Sequence, residues 1–126
     1  YATNAEERTF SIYVCPGAQA WRDAAGAIPG QMLIRCYTEQ MDPFFLAIDP
    51  GVHTFELDLQ LNEEGYLPIW YVDGREITRK QTTYTSEDFT FGLEFRNFVD
   101  GGAWQGDSNC TNTYTGKYNW FNYTPY

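Results

Sequence analysis

A chain of 126 residues suits a single domain, residues 1–126, because a second independent core would leave each half marginal. Its formal charge of −9, with only 8 Lys and Arg, repels phosphates and argues against nucleic acid as a partner, and no apolar run approaches a membrane span of about 18 residues. Hydrophobic residues make up an ordinary 43%, but 18% aromatic, with ten Tyr and four Trp, is more than a core of this size needs, so some rings are expected at the surface.

In chain order, TFSIYV places Phe10, Ile12 and Val14 on one side of a strand. AQAWRDAAGA is the one helix candidate, a short one of about ten residues with Gly26 inside it and Pro29 close behind. MLIRCYT and FFLAI read as two further strands. In HTFELDLQL the residues Phe55, Leu57, Leu59 and Leu61 alternate with Thr54, Glu56, Asp58 and Gln60, the pattern of a half-buried strand. YLPIWYVDGREIT carries Asp73-Gly74 between two β-rich runs, which predicts a two-residue type I′ hairpin. FTFGLEFRNF aligns Phe89, Phe91, Leu93 and Phe95, and KYNWFNY supplies a last strand. The separators MDP, DPG, NEEG, TSED and DGGAWQGDSN hold the residues that turns require. Seven to nine short strands of this kind predict an all-β fold, an antiparallel β-sandwich of jelly-roll or immunoglobulin-like form.

Little in the chain suggests catalysis, and no enzyme is expected. His53 is the only imidazole and has no nucleophile elbow or cysteine beside it in sequence, so a structural or solvent-facing role is favoured. The acidic pairs Glu63-Glu64 and Glu87-Asp88 fall in turns, where adjacent carboxylates diverge. Asp100 and Asp107 offer oxygen ligands for a structural calcium ion, but the spacing fits no EF-hand loop and turn capping accounts for the same side chains; no other cofactor is expected. Cys15, Cys36 and Cys110 match no zinc spacing. Cys15 and Cys36, on consecutive predicted strands, are a candidate disulfide, with Cys110 left over or taking one of those partners. The sequons at Asn109 and Asn122, with an acidic and Lys-poor composition, point to a secreted or cell-surface setting. The opening YATNAEERTF, lacking a basic then apolar signal, reads as a mature chain or as one module of a larger multimodular protein.

The aromatic residues say more. Trp21, Trp104 and Trp120 lie in loops or at strand ends, accompanied by Tyr114, Tyr118, Tyr123 and Tyr126 and interleaved with Asn109, Asn112, Asn119 and Asn122. A sugar ring stacks its C–H face on an indole or phenol while amides and carboxylates bind its hydroxyls, so aromatic residues beside Asn and Asp suit an oligosaccharide or polysaccharide ligand. Trp70, inside a strand pattern, is expected in the core.

Two segments carry a likeness to a known family: TFSIYVCPGAQAWRDA, and LEFRNFVDGGAWQGDSNCTNTYTGKYNW with Phe95, Asn97, Gly102, Trp104, Asp107, Asn109 and Tyr118 in order. Over about a third of its length the chain thus resembles the small β-sandwich starch-binding modules of amylases. The resemblance implies that Trp21 and Trp104 stack on adjacent glucose units of an α-glucan, with Asp107, Asn109 or Asn112 holding hydroxyls. The expected function is a non-catalytic carbohydrate-binding module whose ligand-binding residues are Trp21, Trp104, Asp107, Asn109, Asn112, Tyr118 and Trp120. The alternative is an extracellular protein-interaction or adhesion domain using the same aromatic surface.

Overall fold

A computed structural model describes residues 1–93 and 120–125. Alternating apolar residues cannot be hidden by one sheet alone, and two antiparallel sheets share the task here. The larger contains β1 (Ala2–Asn4), β2 (Thr9–Cys15), β3 (Met32–Tyr37), β4 (Phe44–Ile48) and β8 (Phe89–Phe91), in the order β4-β3-β2-β1-β8. The smaller is the meander β5 (Phe55–Asn62), β6 (Gly65–Val72), β7 (Arg75–Arg79). The helix α1 (Gln19–Ala25) lies between β2 and β3 in sequence and packs on β4.

The core forms where the two sheets meet. Ile34, Cys36, Trp70 and Val72 make one buried cluster, with Ile12, Phe44, Ile48, Leu57 and Ile77 packed around it. A second cluster joins Ala2, Phe10 and Tyr66 to Leu57, Leu59, Tyr84 and Phe89. Trp70 is fully buried, as its place in a strand pattern predicts, and its indole Nε1–H donates to the carbonyl of Ser11 on the facing sheet at 3.0 Å. Asp73 and Gly74 have φ of 52° and 80°, the double left-handed conformation that a type I′ turn demands.

Other expectations are modified. The apolar face of β5 is covered only at its middle: Leu57 and Leu59 enter the core, whereas Phe55 and Leu61 near its two ends stay exposed, as does Val14 near the end of β2. The strand expected over 89–98 is β8, ending at Phe91 within the described residues; 94–98 lie outside them. Of the predicted last strand, residues 120–123 are described and have no strand structure, while 117–119 lie outside. The three-residue β1, too short for periodicity to reveal, pairs with both β2 and β8.

Cys15 and Cys36 are not bridged; both are free, buried thiols. The register explains why, since Cys36 lies opposite Ile12 and Cys15 opposite Leu33. A three-residue offset separates the two by about 10 Å along the strands and turns them to opposite faces, beyond what a disulfide spans. Burial raises the Cys15 thiol above its ordinary pKa and pushes that of Cys36 up to about 12. Peptide mapping without reductant is expected to yield no Cys15–Cys36 cross-linked peptide, and one would refute the register.

The β6–β7 ladder ends at Ile69–Arg79, beside Pro68, whose carbonyl accepts from the Lys80 amide at 3.2 Å. The nitrogen of a strand residue faces the same neighbour as its carbonyl, so the missing Pro68 N–H is on this side and regular pairing stops. Beyond it the chain stays close to β6: Thr82 donates to the Tyr66 carbonyl through both its amide and its hydroxyl, and the Tyr66 amide donates to Tyr84. This approach needs a glycine at 65, where φ is 134° and an added Cβ would meet the Thr82 and Tyr84 carbonyl oxygens at 2.7 and 2.8 Å. Gly51, at φ 137°, has nothing within 4 Å of such a Cβ. Gly51→Ala is therefore expected to cost about 2 kcal/mol of backbone strain in urea denaturation and Gly65→Ala distinctly more, because only the latter adds a clash. Equal losses would contradict the close approach.

Candidate functional site

β3 and β4 read MLIRCY and FFLAI, apolar on both alternating faces, which requires cover on both sides of the sheet. Ile34 and Cys36 face the inter-sheet core, so Leu33, Arg35 and Tyr37 lie on the outer face, yet Leu33 is fully buried and Arg35 only 8% exposed. Part of that cover is α1 and the loop preceding it, with Gly17 lying close against Leu33.

Helix α1 is held chiefly by one side chain. Arg22 donates from Nη1 to the carbonyls of Pro16 and Gln31, both at 2.7 Å, and from Nη2 to that of Ile28 at 2.9 Å. Gln19 Nε2 donates to Asp23 at 2.7 Å one turn later, and Gly26, at φ 68°, provides the left-handed C-cap. A seven-residue helix with no buried residue is too short to persist unaided, so this brace supplies what propensity does not.

The brace fixes Trp21. The half-buried indole stacks on Phe45 of β4, with ring centroids 4.7 Å apart and planes inclined by 24°. Beside it is an open groove of about 270 Å³, lined by Trp21, Ala24, Ala25, Pro43, Phe44 and Phe45. The two alanines leave room where larger side chains would fill it. Next to Phe45 in the register is Arg35, whose guanidinium lies 4.2 Å from the ring centre of Tyr37 and 5.9 Å from that of Tyr13. Burial draws the Arg35 pKa below its ordinary value, and the two phenols oppose that shift. A row of aromatic rings around one buried cation therefore continues across the outer face from Trp21.

Of the other residues expected to bind a ligand, Trp120 is 62% exposed. Tyr123 stacks on Phe91 of β8 at 4.5 Å between centroids. Phe91 pairs with Ala2, which belongs to the inner face, so this cluster and Trp21 occupy opposite faces and opposite edges of the five-stranded sheet. Four interstrand spacings, about 19 Å, separate those edges. Trp104, Asp107, Asn109, Asn112 and Tyr118 lie outside the described residues, as do Asp100 and Cys110. Asn122, in the second sequon, is exposed.

Sequence reasoning missed Phe45 and the Arg22 brace. Phe45 was legible as the odd-parity aromatic in FFLAI, since a strand with no polar alternation must bury both faces. Arg22 gave no local signal, because its partners are carbonyls. His53 also has a more specific place than its sequence context suggests. Its Nδ1 lies 2.7 Å from Asp73 Oδ2 and its Nε2 lies 2.8 Å from the Asp49 carbonyl oxygen. With both nitrogens engaged, the ring is a structural clamp. Among the described residues no cluster of His, Cys, Asp or Glu is placed to hold a metal ion, and no helix is long and apolar enough to cross a membrane.

The chain matches no protein-family model, no curated protein and no solved structure.

Replacing Arg22 with Met keeps the aliphatic stem and removes three charge-assisted bonds. Arg22→Met is expected to lower stability by about 2 kcal/mol in urea denaturation and to speed amide exchange across residues 19–31. Unchanged exchange in α1 would show that the brace is dispensable.

Proposed function

We propose that the protein is a non-catalytic carbohydrate-binding module, and that Trp21 is its sugar-stacking residue. One observation carries the reading: an indole fixed against Phe45 borders an open groove of about 270 Å³ whose lining mixes apolar side chains with polar surface. That groove suits the C–H face of a single sugar unit. The Arg22 brace and the underlying sheet hold the ring before any ligand arrives, so little conformational entropy is lost on binding. A single stacking contact is worth about 1 kcal/mol beyond the area it buries, so the affinity of one module for one sugar unit is expected to be weak, no tighter than the millimolar range, and repeated modules would multiply it. An α-glucan is the first ligand to try, on the resemblance to starch-binding modules, and the acidic surface disfavours anionic polysaccharides.

A second reading, a protein-interaction or adhesion domain, is favoured by a different place. Trp120, Phe121 and Tyr123 are 62%, 53% and 57% exposed, an apolar run of the kind that anchors protein interfaces.

Affinity electrophoresis in gels containing soluble starch, β-glucan or xylan separates the two. The carbohydrate reading expects retardation by at least one polysaccharide and its loss in Trp21→Ala, with the far-ultraviolet spectrum unchanged. Retardation that survives Trp21→Ala but disappears in Trp120→Ala would move the site to the other edge, and no retardation by any glycan would leave the adhesion reading.

A further inference from the structure

The chain crosses between the sheets along residues 49–54, from the end of β4 to the start of β5. His53 sits on this crossing with an acceptor at each ring nitrogen: the Asp73 carboxylate at 2.7 Å and the Asp49 carbonyl at 2.8 Å. A neutral imidazole carries one N–H and can satisfy only one of them, while the imidazolium satisfies both. The other oxygen of Asp73 accepts the Thr54 amide at 2.9 Å, and the Asp73 amide donates to the Thr54 carbonyl at 2.8 Å, so the β6–β7 turn grips the crossing at three points. Asp49 accepts from Gln31 Nε2 at 2.9 Å, and the Gln31 carbonyl is one of the three that hold Arg22. One hydrogen-bonded chain thus runs from Asp73 through His53, Asp49 and Gln31 to the brace under Trp21.

We propose that His53 is a proton-operated latch between the two sheets, whose deprotonation gives up one of its two bonds and so loosens residues 49–54 and the brace that holds Trp21. The latch stands on the geometry of the clamp; its effect on the platform rests on the carbohydrate reading above. The charged groups bearing on the ring are Asp73 from the β6–β7 turn and Asp49 from the crossing, while Phe55 of β5 sets its own ring 6.3 Å away, centre to centre. The hydrogen bond to Asp73, then that to Asp49, raises the His53 pKa above its ordinary 6.5. The stabilisation is therefore complete below 6.5 and is lost as pH rises through the higher folded value. Asp73 has its carboxyl lowered, chiefly by His53, so it is ionised throughout that window.

His53 is the only histidine, so a single imidazole resonance reports the titration. In the free protein it is expected to titrate above 6.5, with protection of the Thr54 amide falling over the same pH range. His53→Gln is expected to show that low protection at every pH, and comparison with it removes every other group that titrates in the window. A midpoint at or below 6.5, or a Thr54 amide whose protection changes with pH equally in both proteins, overturns the latch. In polysaccharide gels run at pH 5.5 and 8.5, wild-type retardation is expected to weaken at the higher pH and that of His53→Gln to stay constant. Equal wild-type retardation at both values overturns the coupling to Trp21 while the carbohydrate reading survives. No retardation at either pH overturns that reading instead, and the ligand-free titration then decides the latch by itself.

Discussion

The bond between the Trp70 indole and the Ser11 carbonyl reaches across from one sheet to the other. A fully buried indole N–H without an acceptor costs on the order of 1–3 kcal/mol, so the two sheets can approach only in a register that brings a strand carbonyl to that point. Once β2 and β6 are set by it, Ile34 and Cys36 close over Trp70 and Val72, and Phe10 meets Tyr66 in the adjoining cluster. Apolar contacts supply most of the cohesion, but they are indifferent to small slips. The directional bond makes one alignment better than its neighbours.

Much of this was legible because it is periodic or local. The alternation in TFSIYV and HTFELDLQL, the run FFLAI and the Asp73-Gly74 turn all follow from rules that act over a few residues, and each stands where those rules put it; the helix expected over AQAWRDAAGA is present but shorter, because Gly26 caps it instead of lying inside. The burial of Trp70 was legible for the same reason. The exposure of Phe55 and Leu61 was not, since it depends on how far the facing sheet extends. Nor was the separation of Cys15 from Cys36: their strands were recognisable, but a register offset of three is a property of the pair.

The candidate site was less legible than the fold. Trp21 stood out because it lies outside the strand patterns, and in the fold it lines an open groove. Its partners came from elsewhere in the chain: Phe45 from an edge strand, Arg22 through carbonyls, Arg35 from beneath two tyrosines. Grouping loop tryptophans by composition also suggested one aromatic surface. The topology instead places Trp21 and the Phe91–Tyr123 stack at opposite margins of the larger sheet, because sequence distance carries no information about which edge a segment joins.

Among the described residues β4 has β3 on one side only, and its five residues, FFLAI, include no charge and no proline. Uncharged edges are templates on which other chains add strands, and proteins blunt them with charges and prolines. Here the blunting residues flank the strand, Asp42 and Pro43 before it and Asp49 after it, while the net charge of −9 makes copies repel one another. Colloidal behaviour should therefore depend on salt and acidity more than on fold stability: screening or neutralising those carboxylates uncovers a self-association hazard in a chain that is still fully folded.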